Sequence, residues 1–299
     1  MRDRTVVPVS GEVAAKWWRP RHGLPSAPHP SPIAPLAGLA DGEPTIRHRS
    51  RAVRPAVVSA TATHRGLVRT HNEDAVLDAA PIGLWAVADG VGGADAGERA
   101  SMTVVESLAA LPASKRAADL LAATKTALED ANRRLLAESQ RVASARGIAS
   151  TVVCLLIAEQ RFFCLWAGDS RLYRWRERQL RQINRDHTEA QSLVDRGVIT
   201  AAQAKNHPGA HLITHAVGID PALRFDCVED GVRGGDRFVL CSDGLTKVVS
   251  DAEIALVVEL LEPAQAADRL IRMVLDRGAP DNVSVAVVAI PGADPPKAA

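Results

Sequence analysis

Three apolar runs in this sequence each deliver an aspartate just past their end. Leu84-Trp85-Ala86-Val87-Ala88 leads to Asp89 and a turn, Gly90-Val91-Gly92-Gly93. Phe162-Phe163-Cys164-Leu165-Trp166-Ala167 leads through Gly168 to Asp169, and Arg237-Phe238-Val239-Leu240-Cys241 leads through Ser242 to Asp243 and Gly244. A fourth acid, Asp281, stands just ahead of the incoming apolar run at 283–290. Runs of this length and apolarity read as buried strands. Where one antiparallel strand leaves a sheet its neighbour comes in at the same rim, so the four carboxylates can converge. Converging carboxylates raise one another's pKa unless positive charge intervenes, and an all-oxygen donor set suits a hard divalent cation, Mg²⁺ or Mn²⁺. The competing reading is four unrelated turn aspartates, since Asp accepts backbone N–H bonds in turns and Gly admits positive φ.

The elements that would position these acids follow in order. An edge strand is expected from Val57, where Ser59, Thr61 and Thr63 alternate with small apolar residues, and a loop over 66–74 leads to the Asp89 strand. Helical patterns cover 97–111 and 115–142; in the second, Leu120, Thr124, Leu128, Ala131 and Leu135 share a face. Residues 147–157 and 161–175 read as a strand pair joined through Glu159-Gln160. Segment 186–217 differs, with two short helical pieces (188–196 and 200–206) around Gly197. Strands at 223–229 and 237–241, helices at 251–261 and 264–277 and a last strand complete the pattern. Strands gathered toward both ends with helices between them argue for an α+β layered fold. Residues 1–55, rich in Pro, Arg, His and Ala, have no helix or strand period and read as a disordered tail, as do residues 292–299. Trp17-Trp18 in the first tail reads as a stray apolar spot; a short docking motif is the alternative.

Composition narrows the function classes. The chain has 299 residues, 46% hydrophobic and 24% charged, enough for one sizeable core. A formal charge of +1 gives no electrostatic footprint for nucleic acid, and the apolar runs are too short for a membrane span. Residues 2–12 lack the apolar stretch of a signal peptide, and Cys154, Cys164, Cys227 and Cys241 sit mostly in strand-like runs without close spacing. Reduced thiols in a cytoplasmic protein are the expectation.

With these motifs in place the chain resembles the metal-dependent, type 2C protein serine/threonine phosphatases over roughly residues 57–290. The resemblance is carried by Arg69-Thr70-His71-Asn72-Glu73-Asp74, Asp89-Gly90-Val91-Gly92-Gly93, Gly147-Ile148-Ala149-Ser150-Thr151, Ala167-Gly168-Asp169-Ser170-Arg171, Ser242-Asp243-Gly244-Leu245 and Asp281-Asn282-Val283-Ser284. Six ordered motifs in one chain are specific where each alone is weak. The run Cys164-Leu165-Trp166-Ala167-Gly168-Asp169-Ser170 and the compact length are similar to the bacterial members associated with type VI secretion.

The resemblance implies a central antiparallel β-sandwich flanked by helices, α-β-β-α, over residues 56–291, with a two-metal site at one end and a flap at 186–217. It implies that Asp89 bridges two Mn²⁺ or Mg²⁺ ions, with the Gly90 carbonyl on one and Asp243 and Asp281 on the other. Glu73 and Asp74 act through metal-bound waters, and Asp169 with Asp243 holds a third, weaker metal. Arg69 grips the substrate phosphate, for which a guanidinium fork is well shaped. The implied partners are a phosphorylated protein and the Ser/Thr kinase it opposes, with the phosphatase a monomer that binds no nucleic acid. Three positions depart from the pattern. Val91 replaces a proton donor or Met, His64 stands where an Asp is common, and His215 replaces a flap arginine.

Two other function classes compete. One is a catalytically weak phosphoprotein-binding module, disfavoured because buried acids without metal are costly to retain. The other is a small-molecule phosphomonoesterase. A zinc site built from His187, His207, His211 and His215 fits no compact ligand spacing. A helix-turn-helix reading of 186–217 lacks a basic recognition face.

Overall fold

The computed structural model describes residues 57–92, 95–114, 116–141 and 147–292. The tails expected over residues 1–55 and beyond 292, with Trp17-Trp18, lie outside these residues, as does Gly93. The described chain opens on β1 (Val58–His64), β2 (Asp74–Ala79) and β3 (Leu84–Val91), then forms α1 (Asp95–Ala109) and α2 (Ala117–Arg141). Next come β4 (Ala149–Ser150), β5 (Val152–Ala158), β6 (Arg161–Ala167), β7 (Arg171–Arg176) and β8 (Gln179–Gln182). Two short helices, α3 (Glu189–Asp195) and α4 (Ala201–Ala204), precede β9 (Asp226–Gly231) and β10 (Arg237–Cys241). Last are α5 (Asp243–Thr246), α6 (Asp251–Leu260), α7 (Pro263–Asp276) and β11 (Val283–Ala289).

The strands build two antiparallel sheets. One runs β1-β11-β10-β7-β8; the other runs β2-β3-β5-β6-β9, with β4 beside β3. Side chains alternate across each strand, so every central strand feeds two cores. Trp85, Val87, Val153, Leu155 and Phe162 meet Leu172, Phe238, Leu240, Ala286 and Val288 between the sheets. The alternate residues Leu84, Ala86, Cys154 and Leu156 pack under Leu108, Leu120, Leu128 and Leu135 of α1 and α2. On the far side Val239, Val285 and Val287 pack under Ile254, Val258, Leu270 and Val274 of α6 and α7. Each fully buried Leu or Phe contributes roughly 1.5–3 kcal/mol of transfer free energy, so both faces of both sheets carry stability. This is the α-β-β-α layering that the resemblance implied. It also explains why the central strands are nearly continuous apolar runs: with helices outside and a second sheet inside, they have no wet face.

Local signals account for several boundaries. Ser250 and Glu253 form a reciprocal capping box at the start of α6, and Thr200 and Gln203 do the same for α4. The β5–β6 hairpin turns on Glu159 and Gln160, whose φ of 51° and 62° match the two positive-φ positions of a type I′ turn. Three details differ from the sequence reading. Residues 161–175 are not one strand, because Gly168-Asp169-Ser170 carries the chain from β6 in one sheet to β7 in the other. β2 begins at the end of the expected loop over 66–74 and runs through residues for which no element is expected, and the short β8 is likewise not expected. Cys154, Cys164 and Cys241 are buried as expected, whereas Cys227 is exposed on the edge strand β9.

Candidate functional site

The acids gather because of register. Asp74 and Asp89 are direct partners across β2 and β3. Asp89 lies near the end of β3, and Asp169 sits in the crossing between the sheets. Asp243 follows β10, and Asp281 precedes β11, with Cys241 opposite Val285 between them. Five acids thus share one rim of the sandwich.

Backbone contacts fix this rim. The Gly90 N–H donates to the Glu73 carbonyl at 2.9 Å, and a Cβ at Gly90 would lie 1.9 Å from the Gly97 carbonyl oxygen, so α1 starts against the site only because residue 90 has none. Gly244 plays the same part at the opposite wall, where an added Cβ would lie 1.8 Å from the Asn282 carbonyl oxygen. That close approach brings the Asp243 turn beside Asp281. Asn282 then clamps the loop that carries Arg69 and Glu73. Its amide donates to the carbonyls of Arg65 and His71 at 2.8 Å each, and its Oδ1 accepts from the Glu73 N–H at 2.8 Å. The Asp89 N–H donates to Thr151 Oγ1, and Ser150 Oγ donates to the Asp89 carbonyl. The motif 147–151 therefore holds the Asp89 backbone in place.

The electrostatics divide the site in two. Burial and the neighbouring acids push the Asp89 carboxyl well above its ordinary range, and burial does the same to Asp74 and Asp169. Asp74 Oδ2 accepts from Ser242 Oγ at 2.7 Å, but Asp74 Oδ1 and Asp169 Oδ1 are buried without a hydrogen-bond partner. Burial also raises Glu73. Asp243 and Asp281 are compensated instead. Lys247 Nζ lies 2.6 Å from Asp243 Oδ2 and 3.0 Å from Asp281 Oδ2. Arg69 Nε lies 3.0 Å from Asp281 Oδ1. Burial raises the Asp281 carboxyl, but the Lys247 and Arg69 cations outweigh it and hold the group below its usual value.

All eight residues assigned to the site from sequence, Arg69, Glu73, Asp74, Asp89, Gly90, Asp169, Asp243 and Asp281, thus lie at or beside this rim. Arg69 is engaged with Asp281 in this conformation and does not point freely at solvent. Among the described residues no three His, Cys, Asp or Glu side chains are already arranged as a cation cage. The donor set nevertheless fits a hard divalent cation: it is all oxygen, buried or partly buried, mutually repulsive, and holds two unpartnered carboxylate oxygens. Lys247 was not singled out from sequence. The signal was its place four residues after Asp243, which matters only if a helical turn begins there.

The departures have local explanations. His64 Nδ1 accepts the Gly66 N–H at 3.0 Å, the turn-capping bond an Asp side chain would otherwise supply. His215 sits with its ring centroid 4.5 Å from that of His187, and burial lowers its pKa to about 4, so it presents no cation at neutral pH. His187 Nδ1 accepts from the Gly168 N–H and its Nε2 lies 3.2 Å from Asp226 Oδ2, which ties segment 186–217 to the Asp169 turn. Beside the rim, a cavity of about 650 Å³ is lined by His187, Thr188, His215, Arg224, Phe225 and Asp226 among others.

The profile of the Protein phosphatase 2C family matches residues 64–284. The serine/threonine protein phosphatase PstP of Mycobacterium tuberculosis is 40% identical over 231 residues, which make up 76% of this chain and 44% of that protein. The chain therefore spans less than half the length of this relative. Among solved structures, PppA of Pseudomonas aeruginosa, described as a key regulatory component of T6SS, is 39% identical with a TM-score of 0.74, covering 79% of this chain and 98% of that one. The catalytic domain of PstP in complex with two manganese ions is 38% identical with a TM-score of 0.70, over 79% and 98% of the two chains.

Proposed function

Because this chain belongs to the protein phosphatase 2C family, we propose that it is a metal-dependent protein serine/threonine phosphatase that removes phosphate from phosphoserine and phosphothreonine. The observation that carries the proposal is the rim where Asp74 and Asp89 face each other across two strands, with Asp169 buried nearby and Asp243 and Asp281 on the opposite wall. Asp89, the Gly90 carbonyl, Asp243 and Asp281 are the residues that would hold two Mn²⁺ or Mg²⁺ ions, with Glu73 and Asp74 behind them and Asp169 at a third, weaker position. A bound pair of such cations lowers the pKa of a water between them and stabilises the charge of an in-line displacement at phosphorus.

The protein's own part is positioning. Asn282 holds the loop from Arg65 to Glu73 at the rim, so Arg69 needs only to exchange Asp281 for a phosphate to grip the substrate through its fork. Ser242 and Thr151 orient Asp74 and the Asp89 backbone. Segment 186–217 overhangs the Asp169 turn through His187 and is the flap that would meet a protein substrate. Among the described residues no helix is long and apolar enough to cross a membrane. A cytoplasmic site of action, against an opposing Ser/Thr kinase and with a regulatory role like that of PppA in Pseudomonas aeruginosa, is the setting we propose.

The test is hydrolysis of a phosphothreonine peptide and of para-nitrophenyl phosphate, with Mn²⁺, with Mg²⁺ and with EDTA, beside Asp243→Asn. Turnover that requires metal and falls at least about 100-fold in Asp243→Asn supports the proposal. Turnover of the small ester alone moves the reading to a metabolite phosphatase, and folded, metal-loaded protein that turns over neither moves it to a binding module.

A further inference from the structure

One helical turn separates Asp243 from Lys247. Ser242 holds the extended N-cap conformation, α5 makes a single turn, and the Lys247 N–H closes it on the Asp243 carbonyl at 2.9 Å. Residues four apart on a helix share a face, so the ammonium folds back onto its own turn's carboxylate. The close approach of Asn282 to Gly244 brings Asp281 to the other side of the same ammonium. Lys247 thereby bridges the two acids that the proposed function assigns to one cation. Its side chain keeps 29% of its exposure, so the four-carbon stem has a path to solvent.

An ammonium 2.6 Å from Asp243 Oδ2 and 3.0 Å from Asp281 Oδ2 occupies the space a divalent cation needs on those oxygens. In the other half no described cation forms an ion pair with Asp74, Asp89 or Asp169, and Asp74 and Asp169 there retain unpartnered oxygens. We propose that Lys247 is a built-in competitor for the Asp243–Asp281 half of the metal site, ion-paired there when that half is empty and displaced to solvent when the cation enters. This inference rests on the metal reading of the rim. Its consequence is graded occupancy: metal fills the Asp89 half with nothing to displace, and the Asp243–Asp281 half only at a concentration sufficient to expel Lys247.

Two measurements test it, neither of which needs catalysis. Calorimetric titration with Mn²⁺ of wild type, Lys247→Met and Lys247→Gln should show one class of sites about 10-fold tighter in both variants, the effect of removing a partly exposed competing ion pair. Amine labelling of the unaltered protein, read by mass spectrometry with Lys125 as internal reference, should show Lys247 more reactive when Mn²⁺ is present. Equal affinities in the three proteins, or looser binding in the variants, would overturn the competitor role while leaving the metal site standing. Unchanged Lys247 labelling under saturating Mn²⁺ would overturn it without reliance on any variant. If none of the three proteins binds Mn²⁺, both this inference and the metal reading fall.

Discussion

The two walls of the acidic rim solve the same electrostatic problem in different ways. On the Asp243–Asp281 wall, Lys247 and Arg69 supply fixed positive charge, and Asp281 stays ionised below its usual range. On the wall of Asp74, Asp89 and Asp169 no ion pair forms among the described residues, and although Lys247 lowers Asp169 at a distance, burial and mutual repulsion push all three carboxyls upward. The compensated wall is stable as it stands. The uncompensated one keeps carboxylates that the metal-free fold would be better without, and a group retained against stability marks function. The difference also predicts where a cation is most needed.

The largest effect should come from Asp89→Asn, which removes an acid crowded by Asp74, Asp169, Asp243 and Asp281. Metal-free, this variant should be more stable than wild type by about 2 kcal/mol, the size expected for relieving a crowded, desolvated carboxylate. Thermal unfolding in EDTA checks this, and a variant less stable than wild type would mean that the acids of that wall do not repel. A comparable effect comes from Ser242→Ala, whose hydroxyl reaches across from the Asp243 wall to Asp74. Ser242 Oγ donates to Asp74 and accepts from the Ser284 N–H at 3.0 Å, so its loss strands two buried groups. The expected destabilisation in urea unfolding is about 1–3 kcal/mol. No change would show that water replaces the hydroxyl.

The smallest effect lies at the flap. His215 has a folded pKa lowered to about 4 by burial and by His187, whereas its unfolded value is near 6.5. Between those values the unfolded chain binds a proton that the folded chain does not, so stability falls as pH drops from about 6.5 toward 4 and is fully present above that window. In His215→Gln that acid-side decline should be shallower. Superimposable stability–pH curves would mean that His215 is not held neutral.

How much was legible followed from burial. The central strands have no wet face, so Leu84–Ala88, Phe162–Ala167 and residues 283–290 read directly as apolar runs, and the acids at their ends could be named. The Glu159-Gln160 turn marked its boundary by local chemistry. What failed was where chain direction or exposure, not apolarity, set the structure. β2 begins on Asp74 and offers only Ala75, Val76 and Leu77 before another acid, so it reads as loop. Residues 161–175 read as one strand because the crossing at Gly168-Asp169-Ser170 is short and apolar residues resume at Leu172. Lys247 was invisible because Ser242-Asp243-Gly244 reads as a turn, and only a helix starting there turns residue 247 back toward Asp243.

The central claim is that this rim is a divalent-cation centre organised around Asp89. The most direct test counts bound Mn²⁺ per chain by equilibrium dialysis, for wild type and for Asp89→Asn confirmed as folded. The account predicts at least two ions bound to wild type and the loss of tight binding in Asp89→Asn. A wild-type protein that holds no Mn²⁺, or an Asp89→Asn protein that holds as much as wild type, would contradict it.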